Sequence, residues 1–351
     1  MMESDLRDIL KCVRCGTCRS VCPVFDVLGW ESRGARGRML VAHGLYQGLE
    51  PGEDVLESLN TCTTCGICEQ MCPAGVKPPS VIQHARHELV LRGKMTDAQS
   101  GLHERISDTG NSLGETGDRN AWMEGLGDVR ERAEYVYFVG CLGAYRFPEQ
   151  AKATFDILKN FDVTVLQDEK CCGSPLLRMG FDADGLMSHN IEQIERTGAH
   201  TIISSCAGCC STLKKDYPDR FRVMHVSEFL AEHLDELDLK RLDVTVTYHD
   251  PCHLGRSLGV YDAPRKVIDA ICSLKEMESS RESARCCGGG GGVRTGFPDL
   301  SSELARRRLC EVPDGVDYLV TSCHLCRSNL SLEAGDVKVI DLVELVGMAL
   351  K

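Results

Sequence analysis

Two runs, CVRCGTCRSVCP and CTTCGICEQMCP, supply Cys12, Cys15, Cys18, Cys22 and Cys62, Cys65, Cys68, Cys72. Each places three cysteines two residues apart and a fourth just ahead of proline. Three thiolates so spaced can wrap one [4Fe–4S] cubane while the fourth reaches the neighbouring cluster. On that logic Cys12, Cys15, Cys18 and Cys72 hold one cubane, and Cys62, Cys65, Cys68 and Cys22 hold the other. Zinc knuckles also use C-x-x-C pairs, but eight thiolates in two runs closed by Cys-Pro favour iron–sulfur chemistry.

A second cysteine pattern occupies the rest of the chain. EKCCGSPLLRMG and ARCCGGGGG each carry an adjacent pair, Cys171–Cys172 and Cys286–Cys287. Each pair is preceded by a single cysteine and followed by a Cys-x-x-Cys. One copy is Cys141, Cys171, Cys172, Cys206 and Cys209; the other is Cys252, Cys286, Cys287, Cys323 and Cys326. Five ligands exceed what one cubane needs. Gly173 and Gly288, just after the pairs, are expected to bring backbone N–H groups near cluster sulfur where a Cβ would intrude. A phosphate loop is the competing reading of the glycines, but no Gly-Lys-Ser/Thr follows them.

The elements that position these cysteines are legible in outline. Residues 1–92 read as a mostly helical, internally duplicated segment around the two cubane runs, and 93–132 as a polar connector in which Trp122 and Met123 pack on a neighbour. From 133 onward, apolar runs such as YVYFVGC, VTVLQ and TIISSC alternate with amphipathic stretches, the pattern of a parallel α/β unit. The order returns in DVTVTYHDPC, APRKVIDAICSL and DYLVTSC, and Cys141, Cys171 and Cys206 recur at Cys252, Cys286 and Cys323 at a nearly constant offset. The tails VMHVSEFLAEHL and VIDLVELVGMAL match as well. The expected fold is α/β, a helical two-cluster domain at 1–92 followed by two duplicated Rossmann-like lobes at 133–240 and 241–351. The cysteines then fall at the ends of strands, where loops of an open parallel sheet converge.

Over nearly the whole chain this pattern resembles the catalytic subunit of heterodisulfide reductases, in which a ferredoxin domain precedes two cysteine-rich CCG domains. Iron–sulfur subunits of glycolate, lactate and glycerol-3-phosphate oxidoreductases are related. The resemblance implies that the five cysteines of each lobe bind a noncubane [4Fe–4S] cluster, with the adjacent pair on neighbouring irons, for four [4Fe–4S] clusters in all and no flavin on this chain. It further implies cleavage of a disulfide such as CoM-S-S-CoB between the two noncubane clusters, with Cys171, Cys172, Cys286 and Cys287 at the reaction. A flavoprotein or a membrane protein resembling cytochrome b is the implied electron donor. The alternative is an electron-transfer subunit of a flavin-linked glycolate- or lactate-type dehydrogenase. In those relatives the last Cys-x-x-Cys is often degraded, whereas both lobes here keep all five cysteines.

Composition excludes other classes. The chain has 351 residues, 21 cysteines and a net charge of -12, which argues against a nucleic-acid partner, since phosphate binding needs a basic face. No apolar run approaches the roughly 18 residues of a membrane span, and no secretory signal is legible at Met1 to Leu10. A cytoplasmic location is expected, with any membrane association through a partner, and so many thiols there read as metal or redox groups. His249 and His253 flank Cys252, and His324 lies inside the last Cys-x-x-Cys. Each of the three is a candidate proton donor to a departing thiolate, His253 being the one expected at the reaction, with local packing or hydrogen bonding to the cluster the competing reading for all three and for His225. Cys210, Cys272 and Cys310 are expected to be buried inert thiols, and RGARGR at Arg33 to Arg38 a solvated or intramolecularly paired basic loop, with a clamp for an anionic substrate or partner as the competing reading.

Overall fold

The computed structural model describes residues 3–127 and 129–351. The chain divides into two compact units. One comprises Met1–Glu104, Pro175–Asp182 and Glu282–Cys310; the other comprises Arg105–Ser174, Ala183–Arg281 and Glu311–Lys351.

The first unit is helical. Proline at the start of helices Pro23–Leu28, Pro78–Leu91 and Pro298–Leu309 sets φ where no intrahelical N–H bond is needed. Its core joins Met39, Ala42 and Leu45 of helix Ala35–Tyr46 to Val81, Ile82, Ala85 and Leu89 of helix Pro78–Leu91. A second cluster packs Cys22 and Val24 against Val293, Leu300 and Leu304. The expected connector carries helix Asp97–Thr109, and Gln99 from it donates to the Met179 carbonyl at 2.8 Å.

Arg86 ties this unit together. Its side chain is fully buried and donates to the carbonyls of Leu59 (2.6 Å), Cys62 (2.7 Å), Arg178 (2.6 Å) and Gly291 (3.0 Å). Burial pulls its pKa down to about 10, so it stays charged at neutral pH. Gly291 comes in so close that a Cβ there would lie 2.3 Å from the Cys62 carbonyl oxygen, at a φ of +63°. Part of the glycine run after Cys287 therefore serves backbone packing as well as any cluster. Replacing Arg86 by methionine leaves these carbonyls without their charged donor, a loss of about 3–5 kcal/mol. Denaturant unfolding of the cluster-loaded protein checks this; a midpoint equal to wild type would refute it.

The second unit carries two parallel four-stranded sheets of identical topology. β1 (Tyr135–Phe138), β2 (Val163–Val165), β3 (Thr201–Ser204) and β4 (Arg222–His225) run in the order β2-β1-β3-β4; β5 (Thr245–His249), β6 (Ser273–Leu274), β7 (Tyr318–Thr321) and β8 (Val339–Asp341) run β6-β5-β7-β8. The duplication expected from sequence is thus a duplication of topology, with β6 only two residues long and hidden in the apolar end of APRKVIDAICSL. Valine, isoleucine and tyrosine fill the central strands, as sheets covered on both faces require. One core runs through both sheets, from Tyr137, Val165 and Ile203 to Val246, Tyr248 and Val320. Trp122 belongs to it, edge-on to Tyr137 and Phe155 with centroids 6.1 Å away in each case.

In each sheet the strand order reverses between the two central strands, β1 with β3 and β5 with β7. A crevice opens beyond the carboxyl ends of strands at such a point. Cys141 and Cys206 follow β1 and β3; Cys252 and Cys323 follow β5 and β7. No helix among the described residues is long and apolar enough to cross a membrane.

Candidate metal centre

In the helical unit, Cys12, Cys15, Cys18 and Cys72 line one cavity together with Val13, Arg14, Arg36 and Pro73. Helices Thr17–Ser20 and Ile67–Gln70 each follow a left-handed glycine, Gly16 (φ 91°) and Gly66 (φ 77°), which turns the chain so that the cysteines on either side face inward. Burial first, and then the neighbouring Cys12, Cys15, Cys22 and Cys72, push the Cys18 thiol up to about 11. Cys68 is raised by burial and by Cys65, Cys62, Cys22 and Cys18. The fourth cysteine of each run therefore stands with the first three of the other run. Backbone N–H groups donate to sulfur from Thr64 to Cys62 and from Val76 to Cys72, each at 3.4 Å. Soft thiolates around a shared space, with amide donors on the sulfurs, fit an iron–sulfur group.

The two groups differ in exposure. Cys15 is exposed and Cys12, Cys18 and Cys72 are half-buried, whereas Cys22, Cys62, Cys65 and Cys68 are buried. The basic run beside the first group is paired within the chain: Arg33 with Glu57, Arg36 with Glu31 at 2.7 Å and with the Arg14 carbonyl, and buried Arg38 with the Ser58 carbonyl and Thr61.

In the sheet-bearing unit, all five cysteines of the first copy are buried and meet in series. Cys141 is in hydrogen-bonding reach of Cys171, Cys171 of Cys172, Cys172 of Cys209 and Cys209 of Cys206. Cys206 also reaches Cys323 of the second copy. Touching thiols in a buried place cannot all ionise, so the charge is shared out. Donation from Cys171 and Cys209 pulls Cys172 down to about 5; donation from Cys209 and Cys323 lowers Cys206 well below the ordinary thiol. Cys141 and Cys209 are raised in turn. Metal binding to such a set displaces its remaining protons to solvent, and the set fits a thiolate-bound cluster.

Local structure explains the convergence. Cys206 is the N-cap of helix Ala207–Lys215, and the N–H groups of Gly208 and Cys209 at its first turn face the Cys206 sulfur. Gly173, at φ 91°, donates its N–H toward Cys171. The buried Asn190 side chain donates to the Cys171 carbonyl at 3.2 Å, and the Tyr217 hydroxyl to that of Cys172 at 3.4 Å.

The second copy is distributed between the units. Cys252, half-buried, and buried Cys323 and Cys326 lie in the sheet-bearing unit, with Cys323 the N-cap of helix His324–Ser331. Cys286 and Cys287 lie in the helical unit, where the Gly288 N–H donates to the Cys286 sulfur at 3.4 Å.

His253 is half-buried in the turn after Cys252, and His249 is buried at the end of β5. His324 is buried against Phe147, centroids 5.7 Å apart, and burial pushes its pKa down to about 4. Cys210 and Cys272 are buried as expected, but Cys310 is exposed, because helix Pro298–Leu309 ends just before it.

His225 is a structural cap. Its Nδ1 accepts from the Ser227 N–H at 3.1 Å while Glu228 accepts from the His225 N–H at 2.9 Å, opening helix Val226–Glu232. Burial pushes its pKa down to about 4 from an ordinary 6.5. The folded state therefore binds fewer protons than the unfolded one between about pH 4 and 6.5, and stability falls as pH drops through that window, by on the order of 3 kcal/mol. Thermal melts from pH 7 to 4.5 should show a steeper fall for wild type than for His225→Asn, which caps without titrating; equal slopes would contradict the assignment.

Sequence reasoning passed over Arg119, placed in the connector. Its guanidinium lies 3.7 Å from the Cys141 sulfur and pairs with buried Glu169. No motif marks it.

Comparison with known proteins places the chain among iron–sulfur proteins. The cysteine-rich domain (CCG) matches residues 135–214 and 246–331, and the 4Fe-4S dicluster domain matches residues 8–76. The chain is 34% identical over 392 residues to one subunit of the dihydromethanophenazine:CoB--CoM heterodisulfide reductase of Methanosarcina acetivorans, covering 99% of this chain and 95% of that one. It is 35% identical over 367 residues to one subunit of the fumarate reductase (CoM/CoB) of Methanothermobacter marburgensis, covering 98% and 73%. The crystal structure of a hypothetical protein from Helicobacter pylori shares the fold, with a TM-score of 0.62 at 10% identity over 99% of this chain and 73% of that one.

Proposed function

We propose that this chain, which belongs to the family of cysteine-rich iron–sulfur subunits of heterodisulfide reductases, reduces the disulfide of two small thiols, CoM-S-S-CoB being the candidate substrate. That it is an iron–sulfur oxidoreductase subunit of the heterodisulfide reductase type follows from the relatives; the substrate and the cluster arrangement are the proposal. Both of those relatives bear coenzymes M and B in their names, one with a disulfide reductase and one with a fumarate reductase, so the thiol–disulfide couple is what they share. They favour this reading over a subunit of a flavin-linked hydroxy-acid dehydrogenase.

The reaction takes two electrons and two protons and releases two thiols. Four [4Fe–4S] groups, when bound, would supply one-electron transfer from the ferredoxin-like runs to the lobes and, at the lobes, iron able to take up sulfur. Cys12, Cys15, Cys18 and Cys72, and Cys62, Cys65, Cys68 and Cys22, are the proposed cubane ligands. Cys141, Cys171, Cys172, Cys206 and Cys209 are the proposed ligands of the first lobe, and Cys252, Cys286, Cys287, Cys323 and Cys326 those of the second. Gly173 and Gly288 present N–H groups to Cys171 and Cys286. His253, beside Cys252, is the proposed proton donor to a departing thiolate. Burial of the first-lobe thiols keeps water from the reacting sulfur. The electrons would come from a flavoprotein or a membrane protein resembling cytochrome b.

The observation that carries the reading is the unbroken series of first-lobe thiols that ends with Cys206 against Cys323, one cysteine of each copy, following the central strands β3 and β7. The test is anaerobic iron quantitation with EPR of the oxidised protein, with and without coenzyme M thiol or the mixed disulfide. About sixteen irons per chain and a thiol-dependent paramagnetic signal are expected. About eight to twelve irons and no response to thiol would overturn the proposal and leave an electron conduit.

A further inference from the structure

Net acidity makes a buried cation beside a thiolate cluster conspicuous, and the sheet-bearing unit holds one at the first cysteine set. Arg119 lies ahead of β1, its side chain only 12% exposed. Nη1 and Nη2 donate to the Cys141 sulfur at 3.7 and 3.9 Å, and Nη2 also donates to Glu169 Oε1. The guanidinium carbon sits 5.8 Å from the centroid of the Tyr145 ring.

Glu169 explains why the guanidinium is aimed this way. It is 3% exposed and accepts from the backbone N–H of Val139 at 2.8 Å and of Gly140 at 2.9 Å. It thus clamps the turn that presents Cys141, while standing two residues ahead of Cys171. One carboxylate fixes both cysteine-bearing segments and holds Arg119 on the sulfur. Arg119 and Glu169 also line a polar cleft with Asp118, Asn120, Gln167 and Lys170.

A cationic N–H donor on a cluster cysteine stabilises the more negative, reduced state, and such outer contacts set cluster potentials. We propose that Arg119, oriented by Glu169, is a positioning residue that raises the reduction potential of the iron–sulfur group held by Cys141, Cys171, Cys172, Cys206 and Cys209. This rests on the first-lobe ligand set proposed above and adds the device that makes that lobe accept electrons readily.

The test is a redox titration of the cluster-loaded protein followed by EPR, with wild type, Arg119→Met and Arg119→Lys. Arg119→Met is expected to change the oxidised-to-reduced ratio of the first-lobe signal at fixed poise at least tenfold toward oxidised, a downward midpoint shift of about 59 mV for one electron. The cubane midpoints should stay unchanged. Arg119→Lys, which keeps charge but not the forked donor, should recover part of the shift. An unshifted first-lobe midpoint at full iron content overturns the inference. If Arg119→Met loses iron at that lobe, Arg119→Gln is read instead: a lowered midpoint supports the assignment and an unchanged one overturns it. Wild-type protein with iron only in the cubane sites would instead sink the ligand set itself, and that is seen before any variant is made.

Discussion

Replacing Cys172 by serine is expected to remove the first-lobe cluster and cut disulfide reduction by more than about a hundredfold, while both cubane signals remain. The position explains the size of the effect. Cys172 is buried between Cys171 and Cys209, and their donation lowers its thiol, so together with Cys206 it is one of the two members of the set poised to bind metal as thiolate. A serine hydroxyl neither ionises at neutral pH nor offers a soft ligand. Its shorter reach also opens the series that runs from Cys141 to Cys206. Iron quantitation should show a loss of about four irons, the content of one [4Fe–4S] group. Disappearance of every cluster signal together would contradict separate sites and the ligand sets proposed here.

Cys65→Ser should do the converse. Cys65 is buried in the Cys22, Cys62 and Cys68 group of the helical unit and contributes to raising both Cys22 and Cys68. Loss of its thiolate should remove one cubane and slow turnover with the physiological type of donor by more than about a hundredfold, yet leave the thiol-dependent signal of the lobes in place. Assaying turnover and recording the oxidised signal with coenzyme M thiol on the same sample separates the two effects. Turnover equal to wild type would sink the path from the cubane runs to the lobes.

The pairing of these experiments matters because the cysteines differ in how they are positioned. Those of the cubane runs are set mainly by local geometry: short helical turns after left-handed Gly16 and Gly66, with proline starting the next helix after Cys22. Those of the first lobe depend on a whole sheet, since the segments that carry Cys141 and Cys206 leave adjacent strands, β1 and β3, paired in register with Phe138 opposite Ser204. A fault in the sheet should therefore disturb the lobe before it disturbs the cubanes.

What the amino-acid sequence determined by itself was whatever has a short period. The C-x-x-C-x-x-C-x-x-x-C-P runs, the adjacent pairs before glycine and the alternation of apolar strands with amphipathic helices are local patterns. A repeated pattern implies a repeated structure, so the helical two-cluster segment and the two α/β lobes were legible, down to the matching tails that became β4 and β8 with their capped helices. The strand β6 was not, because two residues carry no periodicity.

Only the tertiary structure decided which distant groups meet. Arg86 gathers carbonyls from Leu59, Cys62, Arg178 and Gly291, segments that nothing in the sequence links. The segments Pro175–Asp182 and Glu282–Cys310 join the helical unit although each lies between strands of a lobe. His225 proved to be a helix cap, and Arg119, in a stretch that reads as a polar connector, came to rest on the Cys141 sulfur. The physical reason is common to all of them. A lone arginine or histidine has no period, and its role is set by the partners that burial forces upon it, because a charge or polar group taken out of water must find them.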